Sequence, residues 1–79
     1  MPMAFVLINA DIGSENKILD ELKKINAVKE AHMVYGVYDV AAKIHADTME
    51  QLKDIVTWKV RQLDSVRSTL TLIVIEERK

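Results

Sequence analysis

Two short stretches of the chain carry side chains suited to binding a small polar ligand: Tyr35-Gly36-Val37-Tyr38-Asp39 and Thr69-Leu70-Thr71. Asp39 offers a carboxylate, which forms a charge-assisted contact with a cationic group once water is displaced. Gly36 permits close approach and unusual dihedrals, so the N–H groups of Gly36 and Val37 can receive an anion. Tyr35 and Tyr38 can wall a pocket, and Thr69 and Thr71 offer hydroxyls. Plainer readings stand beside these. Gly and Asp are common turn residues, and Thr is favoured on strands for packing reasons alone.

Other chemistry finds less support. The chain has two histidines and no cysteine, so disulfides and thiolate metal sites are excluded and a structural zinc site is not expected. Pairing around Gly36 and Val37 sets His32 opposite Ala41, and His45 then lies on the order of 13 Å further along the strand. The two are read as solvated histidines, with no metal and no cofactor. Trp58, between Thr57 and Lys59, reads as a packing residue. No Ser/His/Asp set, paired carboxylates or Gly-rich phosphate loop is recognisable, which argues against an enzyme.

The elements that must position these residues follow from apolar spacing. Residues 4–10 (AFVLINA) form a short apolar run bounded by Asp11-Ile12-Gly13, a buried strand. Ser14 is a candidate N-cap, and Ile18, Leu19, Leu22 and Ile25 recur at helical spacing behind it. Residues 28–35 read as a second strand at a sheet edge, Gly36 as a turn, and residues 39–46 as a third strand antiparallel to the second. Thr48-Met49-Glu50-Gln51 fits a capping box opening a second helix, whose buried stripe is Leu52, Ile55, Val56 and Leu63. Residues 68–76 form the last strand, and Glu77, Arg78 and Lys79 a charged, solvated end.

The order βαββαβ predicts an α+β, ferredoxin-like sandwich: a four-stranded antiparallel sheet with two helices on one face. Such a sheet should be polar on its uncovered face. Here Phe5 and Leu7 oppose Val6 and Ile8, and Leu70, Leu72 and Val74 oppose Thr71, Ile73 and Ile75, so both faces are apolar. The uncovered face is expected to pack on the same face of a second copy. The plainer reading is two central strands that are simply rich in apolar residues. With 79 residues the chain is one domain, residues 1–79, with a marginal core, and association is the remaining source of stability.

Composition narrows the function. Apolar residues make up 49% and charged residues 29% of the chain, a globular balance. The formal net charge is −1 and the cations are dispersed, so no direct nucleic-acid binding is expected. No run approaches the roughly 20 apolar residues that cross a membrane, and no signal-peptide layout opens the chain. The protein reads as cytoplasmic, with no membrane partner.

Gly36-Val37-Tyr38-Asp39 at the hairpin, with Val66-Arg67-Ser68-Thr69-Leu70-Thr71 leading into the last strand, resembles the Lrp/AsnC transcriptional regulators. The resemblance is to their ligand-binding RAM (regulation of amino acid metabolism) module and covers residues 4–76. Ser65 stands where the family often has Gly. The first strand begins near residue 4, leaving no room before it for a helix-turn-helix, so the chain resembles the stand-alone modules. The resemblance implies sheet-to-sheet dimers that join into rings, often octameric. It also implies an amino-acid effector held between dimers by Tyr35, Gly36, Val37, Tyr38, Asp39, Thr69 and Thr71, with Asp39 pairing the ammonium and the Gly36–Val37 amides the carboxylate. Transcription would then be modulated by self-assembly or by assembly with full-length Lrp/AsnC regulators. The competing expectations are an architectural ring subunit without a ligand and a small ferredoxin-like dimeric enzyme.

Overall fold

A computed structural model gives the structure of the protein and describes residues 2–75. Glu76 to Lys79, read as the strand end and the charged tail, lie outside the described residues. The first strand, β1 (Met3–Ala10), buries Ala4, Val6, Ile8 and Ala10. Period-two alternation turns Phe5, Leu7 and Asn9 to the opposite side. Helix α1 (Glu15–Lys23) buries Ile18 and Leu22, with Leu19 and Ile25 packed alongside. Strand β2 (Val28–Met33) is followed by β3 (Val40–His45), which buries Val40, Ala42 and Ile44. Helix α2 (Met49–Asp54) continues into a π-helical stretch, Ile55–Val60, and the chain closes with β4 (Val66–Val74).

The sheet is antiparallel with order β2-β3-β1-β4. Its helix-covered face and the two helices share one core, in which Val6, Ile8, Ile18, Leu22, Ile44 and Leu52 are fully buried. Each such side chain contributes about 1.5–3 kcal/mol by leaving water. The ferredoxin-like fold read from the sequence is therefore the fold observed.

Several local expectations need correction. Ser14 makes no side-chain cap. Its N–H instead closes a turn onto the Asp11 carbonyl at 2.9 Å, and the Gly13 N–H donates to Glu15 Oε1 at 3.3 Å. Thr48 does cap: its Oγ1 accepts the Gln51 N–H at 3.1 Å. The second helix is also not α-helical throughout. The Arg61 N–H donates to the Val56 carbonyl, five residues back. This wider turn keeps Leu52, Val56 and Val60, spaced by four, on one buried face. Trp58 is swung outward and is 68% exposed, so it is not the packing residue expected.

β4 is an edge strand beside a central β1, so excess apolar content in two central strands does not account for the uncovered face. Across it Phe5 pairs with Leu72 and Leu7 with Leu70, and Phe5, Leu70 and Leu72 are each 40–48% exposed. Polar groups border this apolar strip on β2 and β3, where Glu30 Oε1 meets His32 Nε2 at 3.2 Å and Glu30 Oε2 meets Lys43 Nζ at 3.6 Å. The hydrogen bond from His32, and then the Lys43 charge, lower the Glu30 carboxyl below its usual range. A lowered carboxyl favours the folded state above its ordinary pKa and loses that effect as pH falls through the folded value. His45 is half-buried rather than solvated, and its Nε2 is buried without a hydrogen-bond partner among the described residues.

One strained residue yields a test. Ser65 holds a φ of 73° in the turn before β4, with its carbonyl accepting the Asp11 N–H at 2.8 Å. An L-residue pays about 1–2 kcal/mol in this region, which Gly avoids. Ser65→Gly is expected to raise the midpoint of thermal unfolding, by an amount corresponding to about 0.5–1 kcal/mol once the added flexibility of Gly is subtracted. An unchanged or lower midpoint would show that the turn carries no removable strain.

Candidate functional site

The hairpin that carries Asp39 is wider than a tight turn. Met33 pairs with Val40 and His32 with Ala41, as expected, but the strands stop there. Residues 34–39 form a loop, so β2 ends before Val34 and β3 begins after Asp39. The loop is closed by Asp39 itself. Its carbonyl accepts the Val34 N–H and its N–H donates to the Ile8 carbonyl, both at 2.9 Å. Its carboxylate Oδ2 accepts the Ala10 N–H at 2.9 Å, a part-buried bond. Asp39 thus ties β2, β3 and β1 together at one end of the sheet.

The Ala10 N–H faces β3 by the same alternation as the Ile8 carbonyl and meets Asp39 at the start of that strand, while on its other side β1 slips register against β4. Asn9 pairs with Ser68 and Ala10 with Val66, so Arg67 is the extra residue of a bulge. Bulges re-aim side chains at strand ends. Beside this one lies a cleft of about 520 Å³ lined by Asn9, Ala10, Ile12, Asp39, Arg67 and Ser68. Asn9 Nδ2 donates to Ser68 Oγ at 3.0 Å, fixing one wall. Arg67 Nε stands 3.8 Å from Asp11 Oδ1, a loose and exposed pair that leaves the guanidinium accessible. A half-buried carboxylate and a guanidinium therefore line one cleft, the charge pattern that matches a zwitterion.

The residues named from the sequence do not all meet. Asp39 lines this cleft. Thr69 lines an adjoining one of about 330 Å³ with Arg61, Val66, Arg67 and Ser68. Thr71 is elsewhere: it pairs with Val6 and faces a crevice of about 120 Å³ beneath the second helix, with Leu52, Val56 and Ile73. Tyr38 is half-buried, while Tyr35, Gly36 and Val37 are exposed and line none of these clefts. Gly36 has a φ of 150°, where side chains are strained, and nothing lies near a Cβ built on it. Glycine is needed there for backbone conformation rather than for space.

Sequence reasoning missed Asn9, Ile12, Arg67, Ser68 and Arg61. Arg67 stood inside the quoted motif, but only the bulge brings it beside Asp39. Among the described residues no three His, Cys, Asp or Glu side chains could hold a metal ion, and no helix is long and apolar enough to cross a membrane.

The separation of the two threonines can be measured. Thr69→Val should weaken a ligand that reaches from the Asp39 cleft into the adjoining one by about 0.5–1.5 kcal/mol, the contribution of one neutral hydrogen bond. Thr71→Val should leave binding unchanged. Titration calorimetry on both variants checks this, and an equal loss in the two would contradict the placement.

Comparison with known proteins agrees with the fold and the motifs. A model of the Lrp/AsnC ligand binding domain matches residues 3–79. The chain belongs to the Lrp/AsnC family. The solved structure of FFRP-DM1 is similar at a TM-score of 0.91 and 36% identity, covering 95% of this chain and 100% of that one. AsnC of E. coli is similar at a TM-score of 0.89 and 25% identity, over 96% of this chain and 52% of that one. An uncharacterized HTH-type transcriptional regulator of Pyrococcus furiosus is 34% identical over 73 residues, 89% of this chain and 49% of that protein. The chain spans about half the length of the curated relatives it matches, which are transcriptional regulators.

Proposed function

We propose that this Lrp/AsnC domain is a cytoplasmic, effector-responsive assembly module that regulates transcription and does not catalyse. Residues 1–79 act as one unit in this reading. An amino acid binds in the Asp39 cleft, its ammonium against Asp39 and its carboxylate near Arg67, and the site is completed by a neighbouring dimer that meets the exposed Tyr35 and Val37. The apolar open face pairs two copies, and dimers join into a ring of octameric size, alone or with full-length Lrp/AsnC regulators that read DNA. The observation that carries the reading is the half-buried Asp39 carboxylate sharing a cleft of about 520 Å³ with Arg67.

Thermal unfolding in the presence of each of the twenty amino acids tests it. A binder at one hundred times its Kd stabilises by about 2.7 kcal/mol. A rise confined to one or a few amino acids is expected, and no rise with any at millimolar concentration rejects the reading. The Ala10–Asp39 bond favours a second reading, in which Asp39 is only a staple and the domain is an architectural ring subunit. A flat response across all twenty, together with a ring in solution, would establish that one instead.

A further inference from the structure

The cleft at Asp39 does not stop at Arg67. Arg67 and Ser68 also form a wall of the adjoining cleft of about 330 Å³, whose other side holds Arg61 and Thr69. The two spaces share a polar partition, with a carboxylate on one side and a second guanidinium on the other. Arg61 lies just past the π-helical stretch, where it caps that stretch with its backbone N–H on the Val56 carbonyl. Its side chain is exposed and forms no ion pair among the described residues. Among the described residues, Arg67 is held only by the loose contact to Asp11.

The spacing is set by the sheet. The Asp39 carboxylate reaches the Ala10 N–H, and Ala10 pairs with Val66. The carboxylate stands on the β3 side of β1, so the backbone that carries Arg67 lies about one strand spacing plus one hydrogen bond away, roughly 7–8 Å, a gap the long Arg67 side chain can span. An α-amino acid with its ammonium at Asp39 can set its α-carboxylate at Arg67. A side chain continuing past Ser68 then arrives between Arg61 and Arg67, where two guanidinium forks and the Thr69 hydroxyl receive an anion. A neutral or apolar side chain would gain no charge-assisted contact with Arg61 there.

We infer that the effector has an acidic side chain, and that Arg61 is the residue that selects it. The inference rests on the amino-acid reading of the Asp39 cleft and names the ligand class within it. Lys59 supplies a control, since it is an exposed cation two residues away that lines neither cleft.

The experiment is titration calorimetry at low ionic strength with L-aspartate, L-glutamate, L-asparagine and L-glutamine. The proteins are wild type, Arg61→Gln and Lys59→Gln. Wild type should bind one of the acids about tenfold or more tighter than its amide, the contribution expected of a charge-assisted contact. Arg61→Gln should reduce that preference to about threefold or less with the amide's affinity little changed, and Lys59→Gln should retain it. Equal binding of acid and amide, or an equal loss of preference in both variants, overturns the acidic assignment. So does tight binding of a neutral amino acid with none of the acids, an outcome that leaves the amino-acid reading standing. Only the absence of binding by all twenty amino acids removes both.

Discussion

Asp39→Asn should weaken amino-acid binding by about thirtyfold or more while the domain stays folded. An ammonium held against a carboxylate away from water loses about 2–5 kcal/mol when its partner's charge is removed, because the remaining charge is stranded. Asn keeps a side-chain oxygen in reach of the Ala10 N–H, so the bond at 2.9 Å that ties β3 to β1 can persist. Asp39→Ala separates the two roles. It should lose the same affinity and also destabilise the fold by about 1–3 kcal/mol, since a part-buried N–H is left without an acceptor. Calorimetric titration with the tightest-binding amino acid, alongside thermal melts of the three proteins, reads both effects. Wild-type affinity in Asp39→Asn would end the ammonium assignment, and wild-type stability in Asp39→Ala would end the staple.

Leu72→Glu should dissolve the sheet-to-sheet assembly. Leu72 lies on the open face beside its cross-strand partner Phe5, and both are near half exposure in the single copy. In a two-fold dimer each substitution appears twice, once from each copy. Burying an unpaired charge costs about 3–5 kcal/mol, so the dissociation constant should rise by about two orders of magnitude or more. Light scattering at micromolar concentration should give at least twice the protomer mass of 9.0 kDa for wild type and a value near one protomer for the variant. Lys53→Glu, on the exposed side of α2, is the matched control and should assemble as wild type. A folded wild-type monomer at that concentration would sink the assembly itself.

The parts of the fold legible in the sequence were those governed by burial. Alternation along residues 4–10 reports which side chains leave water, and the structure buries Ala4, Val6, Ile8 and Ala10. Of the stripe read for helix two it buries Leu52 and Val56, leaves Ile55 and Leu63 partly buried, and adds Val60. The register of His32 against Ala41 followed from the hairpin alone. What was not legible depended on hydrogen bonds made across the sheet. Asp39 leaves β3 because its backbone is claimed by Ile8 and Val34. Arg67 enters the cleft because β1 and β4 slip by one residue, a tertiary event with no local signature. Trp58 was read as packing by its type, but its position lies off the stripe of Leu52, Val56 and Val60, and it points outward. The candidate site was therefore half visible: Asp39 and Thr69 by type, Arg61 and Arg67 only by position.

The pairing of β1 with β4 has a kinetic consequence. Met3 sits opposite Val74, and Phe5 opposite Leu72, so the central strand's second neighbour is the last strand of the domain. A hairpin such as β2–β3 closes a short loop and forms on the microsecond scale. The β1–β4 ladder must instead close a loop of nearly the whole chain, and folding slows as contacts join residues more distant in sequence. During synthesis β1 therefore waits, with one edge and one apolar face uncovered, until β4 has been made. Its nascent form is most exposed to mispairing at the stage when three strands of the domain exist and the fourth does not.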